Sequence, residues 1–491
     1  YSEPPALLLV LVAGSLAVDA LQAHDPGRTR RLALIAGLVF GLAGLVRVDA
    51  VREVALVIGV CAVLALRRHP AAVPLATGAL VGTVISAVPA VWLSRPYLDM
   101  VWGSLRPLLL GTAVLTVLSV VVVAVDRRRP RRRVPPVGGR GLLPERLAAA
   151  AVLGLGALLA SRPWWMVARQ ADSASSALVA SLQSQQHLPI DGSRSYAENS
   201  VRWVVWYVGP VTALAALAAA AYLAAAAVRW WQVVSSRAVS SRAVSSQAVS
   251  SQAVRGQAPS WLVPAVVGVG STVLILYRPG ITPDHPWADR RLVTTVLPSV
   301  ALLATATAAW SVRFARRRLP AGLLAAAAVI AVPALLVPSA LATAPLATAR
   351  TEIGQPGAVA RVCAALGPND VVLAVHDAQQ GDRAQNEWVQ VIRGVCGRPA
   401  AVLLGDQPQR AASVRRLGDL VHRAGRRLVL LSAAENDEDA AGSLFALGLR
   451  PHRATLLQTR EDPLLLVTRP SQLRGLTLDV WLAVWTGGPS G

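Results

Sequence analysis

The sequence predicts a multi-pass α-helical membrane protein carrying a small C-terminal α/β domain, and three observations lead there. Of 491 residues, 54% are hydrophobic and 15% charged, with a mean hydropathy of +0.48; a soluble chain of this length cannot bury so much apolar surface. The apolar residues form long blocks, as in 109–124 and 321–349, without strand alternation or an amphipathic stripe. From Thr351 the composition turns abruptly to charged and mixed.

Ten spans are expected, at 5–21, 32–46, 54–66, 71–92, 107–125, 147–160, 204–228, 261–277, 292–310 and 321–349. Several are short, and their alanine and glycine content permits close helix contact. If the spans alternate, the arginine-rich connectors 28–31, 67–68, 126–133, 229–255 and 313–318 all fall on one side, which the positive-inside rule makes the cytoplasm. The opposite side receives the tryptophans and most of the carboxylates, so chemistry is expected outside the cell membrane. Within the transmembrane domain (1–349), the segment 229–260 contains the repeat SSRAV, SSRAV, SSQAV, SSQAV; with nothing large and apolar to bury, it reads as a cytoplasmic low-complexity linker.

In the external soluble domain (350–491), the strings DVVLAVHD, AAVLLG, RLVLLSAAE, RATLLQ and PLLLVTR read as strands separated by helices near 386–394 and 410–424. Such runs imply an α/β layer structure with a largely parallel sheet. Asp377 and Asp406 follow predicted strands and are either solvated turn residues or face a ligand at the carboxyl edge. Cys363 and Cys396 could pair if the domain is external, whereas Cys61 lies in a span. No glycine-rich phosphate loop and no metal-ligand spacing occurs.

The net charge of +21 does not indicate nucleic-acid binding, because the arginines are scattered in short connectors rather than gathered on one basic domain. Arginine at helix ends facing anionic membrane lipid accounts for it.

Four external clusters carry candidate chemistry. YSEP places Glu3 at the start of the first span. LVRVDAVRE brings together Arg47, Asp49, Arg52 and Glu53 at a membrane boundary, as either a paired structural plug or part of a polar cavity. The loop running from SRPWW to LPIDGSRSYAENSVRWVVWYVGP combines Tyr196, Glu198, Asn199 and Trp203 with further tryptophans. Trp164 and Trp165 read first as interfacial anchors; an aromatic face beside carboxylates and amides also suits a sugar. In YRPGITPDHPWADRRLV, prolines are expected to fix a compact turn that holds Asp284 and His285 near the membrane surface. Arg290 and Arg291 then open the next helix on the side where the positive-inside rule disfavours them. They either hold a phosphate, for which the guanidinium fork is matched, or pair with Asp284 or Asp289.

The strings YSEPPALLLVLVAG and RLALIAGLVFGLAGLVRVDAV resemble the third-to-fourth helix region of the GT-C superfamily of multi-pass glycosyltransferases, which includes protein mannosyltransferases and lipid-A aminoarabinose transferases. TPDHPWADRRLVTTVLP resembles the segment by which actinobacterial members enter a late helix. The resemblance spans about 1–349 and implies a GT-C-like fold whose donor is a polyprenyl-phosphate sugar. Donor phosphate is expected at Arg290, Arg291 and Arg47, and sugar or acceptor at Tyr196, Glu198, Asn199 and Trp203. Members usually carry their catalytic acid in the first external loop; this chain is expected to begin beyond that loop and to lack its N-terminal part. The base therefore has no assigned residue, and Glu3, Asp49, Glu198, Asp284 and His285 are the candidates for the cavity lining. Some members bind a divalent metal at external acids, the one cofactor the resemblance leaves open.

The expected reaction is glycosyl transfer from a polyprenyl-phosphate sugar to an acceptor on the external face. A lipid or solute transporter or flippase would show repeated halves and midplane polar residues. A non-enzymatic envelope assembly protein is the third reading.

Overall fold

The computed structural model describes residues 2–128, 142–240, 258–375, 383–403, 407–434 and 437–486. The chain divides into two compact units. The first comprises Tyr1–Ala168, Tyr196–Ile281 and Trp287–Ala342; the second comprises Arg169–Ser195, Thr282–Pro286 and Thr343–Gly491.

The first unit is helical: α1 (Glu3–Gln22), α2 (Pro26–Leu42), α3 (Val51–Leu66), α4 (Ala72–Leu93), α5 (Arg95–Arg128) and α6 (Leu143–Ser161). After α7 (Ser173–Gln185), which belongs to the second unit, come α8 (Ser200–Val208), α9 (Pro210–Ser240), α10 (Leu262–Tyr277), α11 (Arg290–Val293), α12 (Val296–Ala315) and α13 (Ala321–Thr343). Among the described residues, seven helices are long and apolar enough to cross a membrane: α1, α4, α6, α12, α13 and the apolar parts of α5 and α9. This makes the chain a multi-pass α-helical membrane protein. The other three expected spans fall in α2, α3 and α10, of 17, 16 and 16 residues, short of the roughly 20 that a bilayer core requires. Two expected spans also begin differently. Gly209, at φ 79°, breaks 204–228 into α8 and α9, and a side chain there would strike Pro338. The span at 292–310 is entered through the separate turn α11. The repeat segment does not open as a linker, since α9 continues to Ser240; 241–257 lies outside the described residues.

Local chemistry explains the ends. Asp25 caps α2, its carboxylate accepting from the Arg28 N–H at 2.7 Å, and Pro26 follows at the first helical position. α2 and α4 then cross through two matched glycine pairs, Gly37 with Gly41 and Gly78 with Gly82. A Cβ at Gly37 would overlap the Leu75 carbonyl, and one at Gly78 the Leu34 carbonyl, so the two backbones touch. Lipid supplies no hydrophobic drive between helices, so such close small-residue packing is what associates them. Gly78→Val is accordingly expected to cost about 3 kcal/mol by overpacking; an unfolding temperature in detergent equal to that of the wild type would contradict this.

Polar contacts mark both ends of the helices. At one end the start of α1, the α2–α3 connector and α11 converge. At the other, Arg67 after α3 donates to the Trp231 carbonyl of α9 at 2.7 Å and lies 3.4 Å over its ring, while Arg229 of α9 pairs with Glu145 of α6 at 2.8 Å. These meetings are those that alternating traversal requires.

In the second unit, β1 (Asp370–Val375), β2 (Ala400–Leu403), β3 (Arg427–Ala434), β4 (His452–Glu461) and β5 (Arg474–Val484) form one open sheet in the order β2-β1-β3-β5-β4. It is mixed rather than largely parallel: β2, β1 and β3 are parallel, and β5 runs antiparallel to both β3 and β4. PLLLVTR is not a strand, and β5 takes the expected fifth place. One face packs α14 (Gln355–Ala364) and α15 (Arg383–Gly394) through Val362, Trp388 and Ile392; the other packs α16 (Gln407–Arg423) and α17 (Asp437–Phe445) through Val414 and Leu444. Cys363 and Cys396 form a disulfide. Asp377 and Asp406 lie outside the described residues.

The helix connectors 169–195 and 282–286 complete this unit. The Gln186 side-chain amide donates to the Leu464 carbonyl and accepts from the Leu466 N–H, both at 3.1 Å, and His285 exchanges backbone hydrogen bonds with Leu465. The Glu352 N–H reaches the Arg460 carbonyl at 2.8 Å. All of these contacts gather at the C-terminal end of β4, beyond the carboxyl edge of β1 and β3.

Candidate functional site

The α2–α3 connector folds as two short 3₁₀ turns, Ala43–Leu45 and Val48–Ala50, with Arg47 extended between them. That geometry turns Arg47 and Asp49 toward each other: Arg47 Nε and Nη2 meet the two Asp49 oxygens at 3.0 and 3.2 Å. The remaining Arg47 nitrogen, Nη1, reaches Glu3 Oε1 at 2.8 Å. Arg52, one turn on, donates to Asp49 at 3.0 Å. From α11, Arg290 donates to Glu3 through both Nε and Nη2 at 2.7 Å, and Arg291 pairs with Asp49. The Trp287 ring lies 4.0 Å from the Arg290 guanidinium. Residues more than 240 positions apart thus form one network.

Burial alone would raise the Asp49 carboxyl's pKa; the Arg52, Arg47 and Arg291 guanidiniums outweigh it and hold it well below the usual carboxylate range. Burial would likewise lower Arg47, but Asp49 and Glu3 leave it raised. These ion pairs set four guanidiniums on Glu3 and Asp49 at the end of an apolar bundle. Arg290 thus meets Glu3 and Arg291 meets Asp49, carboxylates far away in the sequence. Asp289 accepts from the Tyr207 hydroxyl. Glu53, at 3% exposure, lies beneath the network with the Thr295 hydroxyl 3.4 Å away.

A second polar node joins the ends of α6, α8 and α10. Arg162, 2% exposed, donates to the carbonyls of Leu159, Ala197, Leu276 and Tyr277 and to the Ser200 hydroxyl, at 2.6 to 3.3 Å. These carbonyls belong to helix ends and turns, where intrahelical partners run out. Sequence reasoning passed over Arg162; its signal was an arginine between an apolar helix and PWW, where helix-end carbonyls need a donor. Glu198 is buried, its carboxylate accepting from the Ala168 N–H at 3.2 Å. Tyr196, in the left-handed region at φ 53°, and Trp203 are buried beside it in the sequence, with Asn199 half-buried.

Asp284 and His285 are not held at a surface. Both are fully buried and belong to the second unit through the Leu465 bridge. The structure therefore brings Glu3, Arg47, Asp49, Arg290 and Arg291 together in one network. Among the described residues no cluster of three or more His, Cys, Asp or Glu side chains is placed to hold a metal ion.

Comparison with protein-family models, curated proteins and solved structures gives no match to this chain.

Proposed function

We propose that this protein transfers a sugar from a polyprenyl-phosphate donor to an acceptor at the non-cytoplasmic face of the membrane. The observation that carries the reading is the convergence of Glu3, Arg47, Asp49, Arg52, Arg290 and Arg291 at one end of a bundle of membrane-spanning length. Charged groups are costly beside lipid and persist there for function. The planar guanidinium forks match the oxygens of a lipid-linked phosphate, which brings its charge to this depth while its tail stays among the helices.

In the transfer step the acceptor oxygen bonds to the anomeric carbon as the bond from that carbon to the phosphate oxygen breaks. The polyprenyl phosphate leaves with the electron pair, the arginines stabilise its charge, and the acceptor hydroxyl's proton passes to solvent water. Glu3 and Asp49 position the guanidiniums; carboxylates so paired are poor proton acceptors. The Cys363–Cys396 disulfide supports a non-cytoplasmic location for the second unit, since such bonds persist in oxidising compartments. The unit shares that side with the connectors 169–195 and 282–286.

The test is incubation of the purified full-length protein with radiolabelled polyprenyl-phosphate mannose or arabinose and a membrane extract as acceptor source. Label is expected to pass to an acceptor, and Arg290→Ala is expected to raise the donor KM about tenfold, roughly 1.4 kcal/mol of lost binding. Absence of transfer with every lipid donor, with donor-independent solute flux in vesicles, would replace this reading with a transporter.

A further inference from the structure

In β1, β2 and β3 the strands run parallel, so the helices that precede them all end at the sheet's amino edge. Those endings are basic. α15 ends in Arg393 and Gly394, with Arg398 before β2; α16 ends in His422 and Arg423, with Arg426 and Arg427 entering β3. Between residues 393 and 427 the sequence has eight arginines and two acids. Arg393, Arg423 and Arg426 are exposed.

Between the turn that enters β1 and the end of α16 lies an open cleft of about 490 Å³. Asp370 and Arg427 line it, held to each other by two hydrogen bonds of 2.6 and 2.7 Å, and His422 and Arg426 contribute to its wall. The pair neutralises the cleft's buried acid. Arg426 and its neighbours set the remaining charge.

This edge is opposite to the end of β4 where 169–195, 282–286 and the chain before α14 are joined.

We propose that the amino edge of this sheet binds a linear polyanion whose repeating units carry phosphodiester or uronate groups, one oxyanion entering the cleft at Arg426 and neighbouring units following Arg423 and Arg393. The inference rests on the non-cytoplasmic placement given above and not on the transfer chemistry. A row of arginines on a surface binds such a chain by displacing its counterions, so affinity falls as salt rises.

The experiment uses the full chain in nanodiscs of zwitterionic lipid, which present no anionic headgroups of their own, with fluorescent poly(glycerol phosphate) and polygalacturonate as probes and neutral dextran as control. One or both polyanions are expected to bind with salt-dependent affinity while dextran does not. Their relative affinities identify the preferred oxyanion. The double variant Arg423→Glu/Arg426→Glu is expected to weaken binding at least about tenfold with an unchanged unfolding temperature, because both side chains are exposed and outside the Asp370–Arg427 pair. Undiminished binding by the double variant, equal binding of dextran, or binding only to phosphatidylglycerol vesicles would overturn the assignment. The assay contains no sugar donor, so its outcome is independent of whether transfer occurs.

Discussion

Arg162→Met is expected to cost more than about 4 kcal/mol and to abolish a cooperative unfolding transition above room temperature. Methionine keeps the apolar stem and much of the volume, so packing loss is small. What disappears is the buried donor fork: the carbonyls of Leu159 and Tyr277 lose it outright, while Ala197 and Leu276 keep only the Ser200 N–H and hydroxyl as donors. Each buried acceptor left without a partner costs roughly 1–3 kcal/mol, and the low dielectric around helix ends raises that cost. Replacing a buried charge by an apolar group is benign only when its partners change with it; here they are backbone atoms and remain. Arg162→Lys keeps the charge but offers a point of three donors where a planar fork bridges three elements, and recovers only part of the loss. A detergent-solubilised Arg162→Met protein that melts within about 2 °C of the wild type would show that the node is dispensable.

Asp49→Ala is the second large effect, about 3–5 kcal/mol of stability. It takes from Arg47, Arg52 and Arg291, all largely shielded from water, the carboxylate they share. The pH dependence has a defined sign. The Asp49 value is lowered in the folded protein, so its contribution is complete above the unfolded carboxyl's value of about 4 and is lost as pH falls through the lower folded value. Wild-type stability is therefore expected to be flat with respect to Asp49 from about pH 5 upward, with an acid-induced loss that is shallower in Asp49→Ala. Unfolding temperatures measured between about pH 3 and 8 check this. Identical acid limbs for the two proteins would remove Asp49 from the stabilising network.

The helices were legible because lipid solvation writes itself into unbroken apolar blocks. Their exact reach was less so: the break at Gly209 is fixed by the proximity of Pro338, a residue 129 positions away. In the C-terminal domain the first three strands follow from their apolar runs. β5 was missed because its polar Thr477 and Asp479 obscure the pattern, while in the structure Asp479 is buried and held by Arg453 at 3.0 Å across the sheet. PLLLVTR misled for the converse reason. Its run of leucines is strand-like, yet Leu464 takes a positive φ of 53° and Leu465 pairs with His285 instead of a neighbouring strand.

The candidate site divides in the same way. Charge at a membrane boundary marked Glu3, Arg47, Asp49, Arg290 and Arg291, since a charged residue there must have a reason. Which carboxylate meets which guanidinium is a matter of tertiary approach, and the meetings of Arg290 with Glu3 and of Arg291 with Asp49 are not written in the local sequence. Asp284 and His285 looked exposed because prolines usually punctuate surface turns; burial by a segment 180 residues further along is not written locally.

The second unit is assembled from three separate stretches of chain, and this imposes an order on its biogenesis. The stretch 282–286 leaves the ribosome well before its partner at 464–466, and at synthesis rates of about 5–20 residues per second it waits roughly 10–40 s. During that interval Gln186, His285 and their neighbours have no sheet to receive them. The later-translated stretch is therefore the one that closes the domain, and a ribosome that stalls after α13 leaves two orphaned connectors as substrates for quality-control proteases.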